Sequence, residues 1–260
     1  MKAINLTKTF LAAVMALSMT ACGTKEESSS TSAPESGKTP LVVGISPDYP
    51  PFDTIDTSGE LGGLDVEMME WVVDWMNENG SSYDLQWSKM SFENLITALN
   101  GDQLDLVVSG ISYDEDRVVE YSEPYYKSAQ VLLVTEDSDV KASKDLDGKI
   151  VAAQMGSTGE TCAEEIKGAK VQTFSDAAVA VASLKSGAVD AVVMDEPVAK
   201  NYAAQGGFAV LNEQLLEEEN FVIAKKGNTE LMDKVNEAIN AYNDSDAKTE
   251  IVNKWMVGEE

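Results

Sequence analysis

Two stretches of this chain, Leu99–Gly110 (LNGDQLDLVVSG) and Leu184–Asp195 (LKSGAVDAVVMD), align over twelve positions, with Asp105 falling on Asp190 85 residues later. Each reads as the end of a helix, a Gly-bearing turn and a short apolar strand. Ligands of open α/β sheets lodge beyond the carboxyl ends of the strands, so the residues that follow each strand matter most. The first unit runs into Ser109-Gly110-Ile111-Ser112 and then Arg117, whereas the second ends on Asp195. One half therefore offers a cation and hydroxyls and the other an anion, at the mouth of a cleft between two similar lobes. That is the complement of a zwitterion.

Outward from the first unit, Leu41-Val42-Val43-Gly44-Ile45 is an apolar run stopped by Pro47, Pro50 and Pro51, which reads as a buried strand entering a loop. Leu64 to Glu78 carries Val66, Met69, Val73 and Met76 at helical spacing and closes on Asn79-Gly80. Tyr83 to Trp87 is a second strand, Ser91 caps a helix that runs to Asn100, and Leu104 to Ser109 is a third strand. Around the second unit the plan repeats: strand Lys149 to Ala153, helix from Ser157, strand Lys170 to Phe174, helix Asp176 to Lys185, strand Asp190 to Asp195. Such alternation predicts mostly parallel sheets flanked by helices. Pro124 to Val134 suits a strand crossing between lobes, with a return near Phe221 to Ala224. Helices at Thr229 to Asn243 and Ala247 to Val257 go back to the first lobe. The expected division is residues 40–128 and 222–260 for lobe 1 and 129–221 for lobe 2, joined by a two-segment hinge that lets them close.

Ahead of this lies a leader. Lys2 and Lys8 precede the apolar run Phe10 to Leu17, too short to span a bilayer, and small residues follow up to Cys22. Met19-Thr20-Ala21-Cys22-Gly23 resembles a bacterial lipobox, which implies a signal peptide over 1–21 and a lipidated (palmitate-bearing) Cys22, although Met19 replaces the usual leucine. Two or more acyl chains anchor a protein stably. Residues 22–39 are Ser-rich without periodic apolar positions and read as a tether. The whole chain carries 19 Lys and Arg against 45 Asp and Glu, and loss of Lys2 and Lys8 leaves 17 against 45, or −28. A surface so acidic argues against nucleic acid and simple adhesion to anionic lipid as partners, and serves solubility. With no histidine and only Cys162 beside Cys22, no disulfide framework, cofactor or transition-metal site is expected.

Taken as an ordered set, the motifs resemble the family 3 extracytoplasmic solute-binding proteins of polar amino-acid ABC importers, with the two-lobed periplasmic-binding-protein (Venus flytrap) fold. The set is Tyr49-Pro50-Pro51-Phe52, Gly63-Leu64-Asp65-Val66, Ser109-Gly110-Ile111-Ser112 with Arg117, Tyr121 to Tyr126 (YSEPYY), Gly156-Ser157-Thr158, Val189 to Asp195 and Asn253-Lys254-Trp255. The resemblance implies a monomeric, lipid-anchored subunit, not an enzyme, that binds a free amino acid and presents it to a permease and, through that, to ATPase subunits.

Arg117 has the planar fork that holds a carboxylate through two charge-assisted hydrogen bonds, and the resemblance assigns it the ligand's α-carboxylate; pairing with Asp114, Asp116 or Glu120 is the competing reading. Ser109, Gly110 and Ser112 flank the same position, and Ser157 and Thr158 stand where helix N–H groups are free. Asp195 follows four apolar residues and needs a cationic partner if buried. It is assigned the α-ammonium, and Glu196 the cap of the next helix. Phe52, Phe92 and Tyr49 are placed around the ligand side chain by the resemblance, against a plain core role. Ser46 stands where relatives binding basic amino acids often carry an acid, and with Gln154 and Met155 it favours a polar uncharged side chain such as glutamine, unless Asp48 or Glu160 changes the sign of the pocket. Two alternatives remain: a cyclohexadienyl dehydratase-like enzyme on the same scaffold, and a sensor that reports closure to a membrane receptor.

Overall fold

The computed structural model describes residues 37–256. The leader, Cys22 and all but the last residues of the tether lie outside the described residues. The chain order is β1 (Thr39–Ile45), β2 (Thr54–Ile55), β3 (Leu61–Gly62), α1 (Leu64–Glu78), β4 (Tyr83–Lys89), α2 (Phe92–Asn100), β5 (Leu106–Val107) and β6 (Val119–Tyr121). It continues with β7 (Tyr126–Thr135), a 3-10 turn at Ser143–Leu146, β8 (Ile150–Gln154), α3 (Thr158–Glu165), β9 (Lys170–Phe174), α4 (Ala177–Lys185), β10 (Ala191–Asp195) and α5 (Glu196–Ala204). β11 (Phe208–Asn220), β12 (Ile223–Lys225), α6 (Thr229–Asn243) and α7 (Asp246–Trp255) complete it.

Two five-stranded sheets result, ordered β4-β1-β5-β12-β6 and β11-β7-β10-β8-β9. In each, the first strand of the lobe lies parallel between the second and the third, and the third pairs antiparallel with a strand from a crossing segment: β12 on β5 and β7 on β10. The repeated aspartates explain part of this likeness. Asp105 exchanges bonds with Val42, its backbone N–H donating to the carbonyl at 2.9 Å and its Oδ2 accepting the Val42 N–H at 2.8 Å. Asp190 does the same to Ile150, both at 2.8 Å. Each aspartate thus pins the third strand of its sheet to the first, just where pairing begins.

β1 is apolar on both faces because both are covered: Leu41 and Val43 join the cluster of α1, and Val42 packs against the cluster of Leu95, Leu99 and Val107. α1 lays Leu64, Met68, Met69, Val72 and Met76 on the sheet and ends where Gly80 (φ 99°) turns the chain so that Ser81 N–H reaches the Met76 carbonyl. α6 and α7 pack on α1, returning the chain to the first sheet. One apolar cluster runs from α1 through Tyr49, Phe52, Tyr125 and Tyr126 to Val131 and Met194, so the core is continuous across the hinge.

Several local expectations are corrected. Only Leu106–Val107 of the stretch Leu104 to Ser109 pairs as strand. Ser91 stands at the N-cap of α2, but its hydroxyl accepts from the Asn94 side-chain amide at 2.7 Å rather than from backbone. Asp195, not Glu196, occupies the N-cap of α5, and Glu196 is its first residue, paired with Lys200 at 3.0 Å. The long strand β11 was not anticipated: it edges the second sheet against β7 and carries Glu213, Glu217, Glu218 and Glu219.

Candidate functional site

Three segments of lobe 1 and two sheet ends of lobe 2 converge between the lobes. The turn after β1 is compact: Tyr49 and Asp53 form a bridge, and the Tyr49 ring stacks on Phe52 at 6.4 Å between centroids. Tyr49 then reaches across. Its hydroxyl donates to Asp195 Oδ2 at 2.9 Å and accepts the Asp195 backbone N–H at 2.9 Å.

Asp195 is held by sheet register. Gln130 of β7 stands directly opposite it and donates from Nε2 at 2.9 Å, and Ser128, on the same face of β7, donates to Oδ1 at 2.7 Å. Ser128 in turn stands opposite Glu218 of β11, whose Oε2 accepts from Gln130 at 2.8 Å and from the Ser112 hydroxyl at 2.9 Å. Ser112 closes the chain, because its carbonyl accepts from Arg117 Nη1 at 2.8 Å. Arg117 Nη2 donates across the cleft to the Gly156 carbonyl at 2.9 Å, and its guanidinium lies 6.0 Å from the Phe92 ring centre. The Arg117 side chain is only 8% exposed, and its contact with Asp114 is a loose 3.6 Å.

The electrostatics follow from burial. Asp195 is pushed up to about 7, first by desolvation and then by the neighbouring Glu218 carboxylate. Beneath the Gly110 turn, desolvation likewise raises Asp65 to about 7 and lifts Asp53 well above the carboxylate range, each reinforced by a nearby acid. Glu218 Oε1 and Gln130 Oε1 are buried acceptors with no partner among the described residues. A cavity of about 750 Å³ opens alongside, between Tyr113 and Phe221 on one side and Ser128, Glu196, Leu216 and Glu218 on the other.

Arg117, Ser112, Thr158, Tyr49 and Asp195 are thus brought to one seam, with Thr158 Oγ1 3.4 Å from Gln130 Nε2. Gly110 borders it at φ +55°, where a Cβ would press within 3.4 Å of the Tyr49 ring, and its N–H is engaged by Asp65 at 2.7 Å. The Ser109 and Ser157 hydroxyls are turned elsewhere. The Ser109 hydroxyl is held inside lobe 1 by Asp53 and the Ser46 N–H. Ser157 caps α3 through Glu160 N–H. Phe52 is fully buried against Tyr126, Phe92 lies under Arg117, and Met155 is 39% exposed. Ser46 and Gln154 both bond to Asp48. Sequence reasoning missed Ser128, Gln130 and Glu218. Their one legible sign was two polar residues at i and i+2 in an apolar strand.

A guanidinium whose side chain is 8% exposed and a buried carboxyl thus face one seam between two lobes. The model of the bacterial extracellular solute-binding proteins, family 3, matches residues 41–258, and the chain belongs to that family. Membership in an extracellular family carries a location outside the cytoplasm. The arginine-binding extracellular protein ArtP of Bacillus subtilis is 33% identical over 258 residues, 96% of each chain. Among solved structures, the arginine-, lysine-, histidine-binding protein ArtJ of Geobacillus stearothermophilus has a TM-score of 0.78 at 31% identity, covering 85% of this chain and 96% of that one. An ancestral arginine-binding protein bound to glutamine has a TM-score of 0.77 at 33% identity, covering 85% and 98%. All three are binding proteins.

Proposed function

We propose that this chain is the solute-binding lipoprotein of an amino-acid ABC importer, anchored through Cys22, which traps one free polar L-amino acid between its lobes and hands it to a permease and its ATPase. The observation that carries the reading is the pairing of Arg117 and Asp195, from opposite lobes, through the chain Ser112, Glu218 and Gln130. Arg117 takes the α-carboxylate and Asp195 the α-ammonium, each strengthened by exclusion of water. Acceptors without donors at Glu218 and Gln130 suit a ligand that brings N–H groups. The sequence favoured a neutral side chain; a cavity bordered by Glu196, Glu217, Glu218 and Glu219 against Lys127 moves the preference to a cationic one.

Glu218 also supplies the second acid that a dehydratase would need, so one experiment addresses both. The mature chain is screened by thermal shift against the free amino acids and by turnover assay against prephenate and arogenate. Binding is expected for a cationic or polar amino acid, with about 2.7 kcal/mol of stabilisation at a hundred times the dissociation constant. Turnover, or the absence of any amino-acid ligand, overturns the reading. Lipid attachment is checked by the mass of the mature N-terminal peptide.

A further inference from the structure

Lobe 1 reaches lobe 2 at a second place. Asp48, three residues beyond β1, sends its carboxylate across the cleft: Oδ2 accepts from Gln154 Nε2 at 2.9 Å and from the Ala177 N–H at 2.8 Å. Its Oδ1 accepts from the Ser46 hydroxyl at 2.6 Å, which fixes the rotamer. Ala177 is the first residue of α4, whose own cap, Asp176, serves Val179 N–H instead. The carboxylate therefore meets an otherwise free N–H at the positive end of a nine-residue helix.

The internal repeat shows how specific this contact is. Val42 and Ile150 are equivalent through their aspartates, which puts Gly156 at the place of Asp48; Leu99 and Leu184 are equivalent, which puts Phe92, the start of α2, at the place of Ala177. Gly156 does lie against the start of α2, since a Cβ on it would stand 3.7 Å from the Glu93 Cα. The equivalent approach to a helix start is thus made twice, as a hydrogen bond accepted by the carboxylate of Asp48 and as van der Waals proximity at Gly156.

We propose that Asp48 is a closure latch, a positioning residue that holds the lobes shut on α4 and Gln154 and sets how long a ligand stays without touching it. Gln154 then belongs to the latch and not to the ligand's side-chain pocket. This inference rests on the binding reading for its ligand readout but not for its structural one.

The test uses the full mature chain with Asp48→Asn and Gln154→Ala. Dissociation constants and off-rates are measured for every amino acid that binds, and interlobe distances are taken from spin labels at the exposed positions 100 and 185. Asp48→Asn should weaken all ligands by one common factor, roughly tenfold as expected for loss of a charge-assisted bond, carried by faster release. The double variant should be little weaker than either single one. Labels on the ligand-free variant should report a more open distribution than the parent's. Weakening confined to ligands with cationic side chains would make Asp48 a ligand contact and overturn the latch, as would unchanged release. Should no amino acid bind the parent, the binding reading falls, and the ligand-free distances still decide: an unchanged distribution removes the latch.

Discussion

Lobe 1 and lobe 2 place an aspartate at the same point of the same motif, and there Asp105 and Asp190 do the same work; five positions later the copies part, with Gly110 in one lobe and Asp195 in the other. Scaffold positions have kept one solution, because pinning the third strand to the first is a local demand that each sheet makes alike. Under the proposed function, site positions differ because the two lobes would address opposite ends of one guest. Gly110 keeps its own backbone tied to Asp65 and makes room for Tyr49, while Asp195 presents charge.

The sharpest way to break this comparison is to remove the charge on each side. Arg117→Ala and Asp195→Ala should each weaken binding by about 2–5 kcal/mol, from about 30-fold to several thousand-fold, measured by calorimetry, while the ligand-free proteins stay folded by circular dichroism. A large loss in one lobe and none in the other would mean that the two groups do not hold the same molecule.

The scaffold pair comes next. Asp105→Ala and Asp190→Ala each orphan a backbone N–H, of Val42 and of Ile150, and should each lower unfolding stability by about 1–3 kcal/mol in urea titration. The two values should agree closely, with ligand affinity little changed. Asp190 has the additional Lys149 at 3.6 Å, but that pair is exposed and adds little.

How much of this was legible follows the same division. The repeat, the helices α1 and α6, and the position of Asp195 at the end of β10 were readable because each rests on neighbours in sequence: apolar spacing, a turn, a charge at a strand's end. Ser128, Gln130 and Glu218 were not, because their meaning comes from register. Gln130 matters through standing opposite Asp195, and Glu218 through standing opposite Ser128, both set by antiparallel pairing between distant strands. β11 was hidden for the same reason: an edge strand with a polar face takes its conformation from its partner and not from its own propensity.

Acidity separates the lobes in another way. Asp65 in lobe 1 and Asp195 in lobe 2 are both raised to about 7 by burial. Between the ordinary carboxylate value and about 7 the folded chain therefore holds protons that the unfolded chain has released, so ligand-free stability falls as pH rises across that window. Binding behaves oppositely. An ammonium on Asp195 favours its ionised form and expels the proton, so affinity should climb by about tenfold per pH unit from 5 toward 7 and then level. Asp65→Asn should make the stability curve shallower, with Asp53 and Asp195 still contributing, and leave the binding slope intact. A slope that vanishes with Asp65→Asn would place the titrating group in the wrong lobe.

Glu218→Gln should have the smallest effect, and it tests what surrounds the ammonium end. The substitution keeps the size of the side chain, and its carbonyl oxygen can still accept from Ser112 and Gln130, so the seam should close as before. What changes is one charge beside Asp195 and at the wall of the cavity. Ligands with a cationic side chain should weaken by about 3- to 5-fold, the effect of somewhat under 1 kcal/mol in a partly solvated site, while neutral ones hold or gain slightly. The pH at which affinity levels should also move down, since the carboxylate that helps to raise Asp195 is gone. Equal weakening of cationic and neutral ligands would assign Glu218 to holding Ser112 and Gln130 in place, and the choice of side chain would then have to be made elsewhere in the cleft.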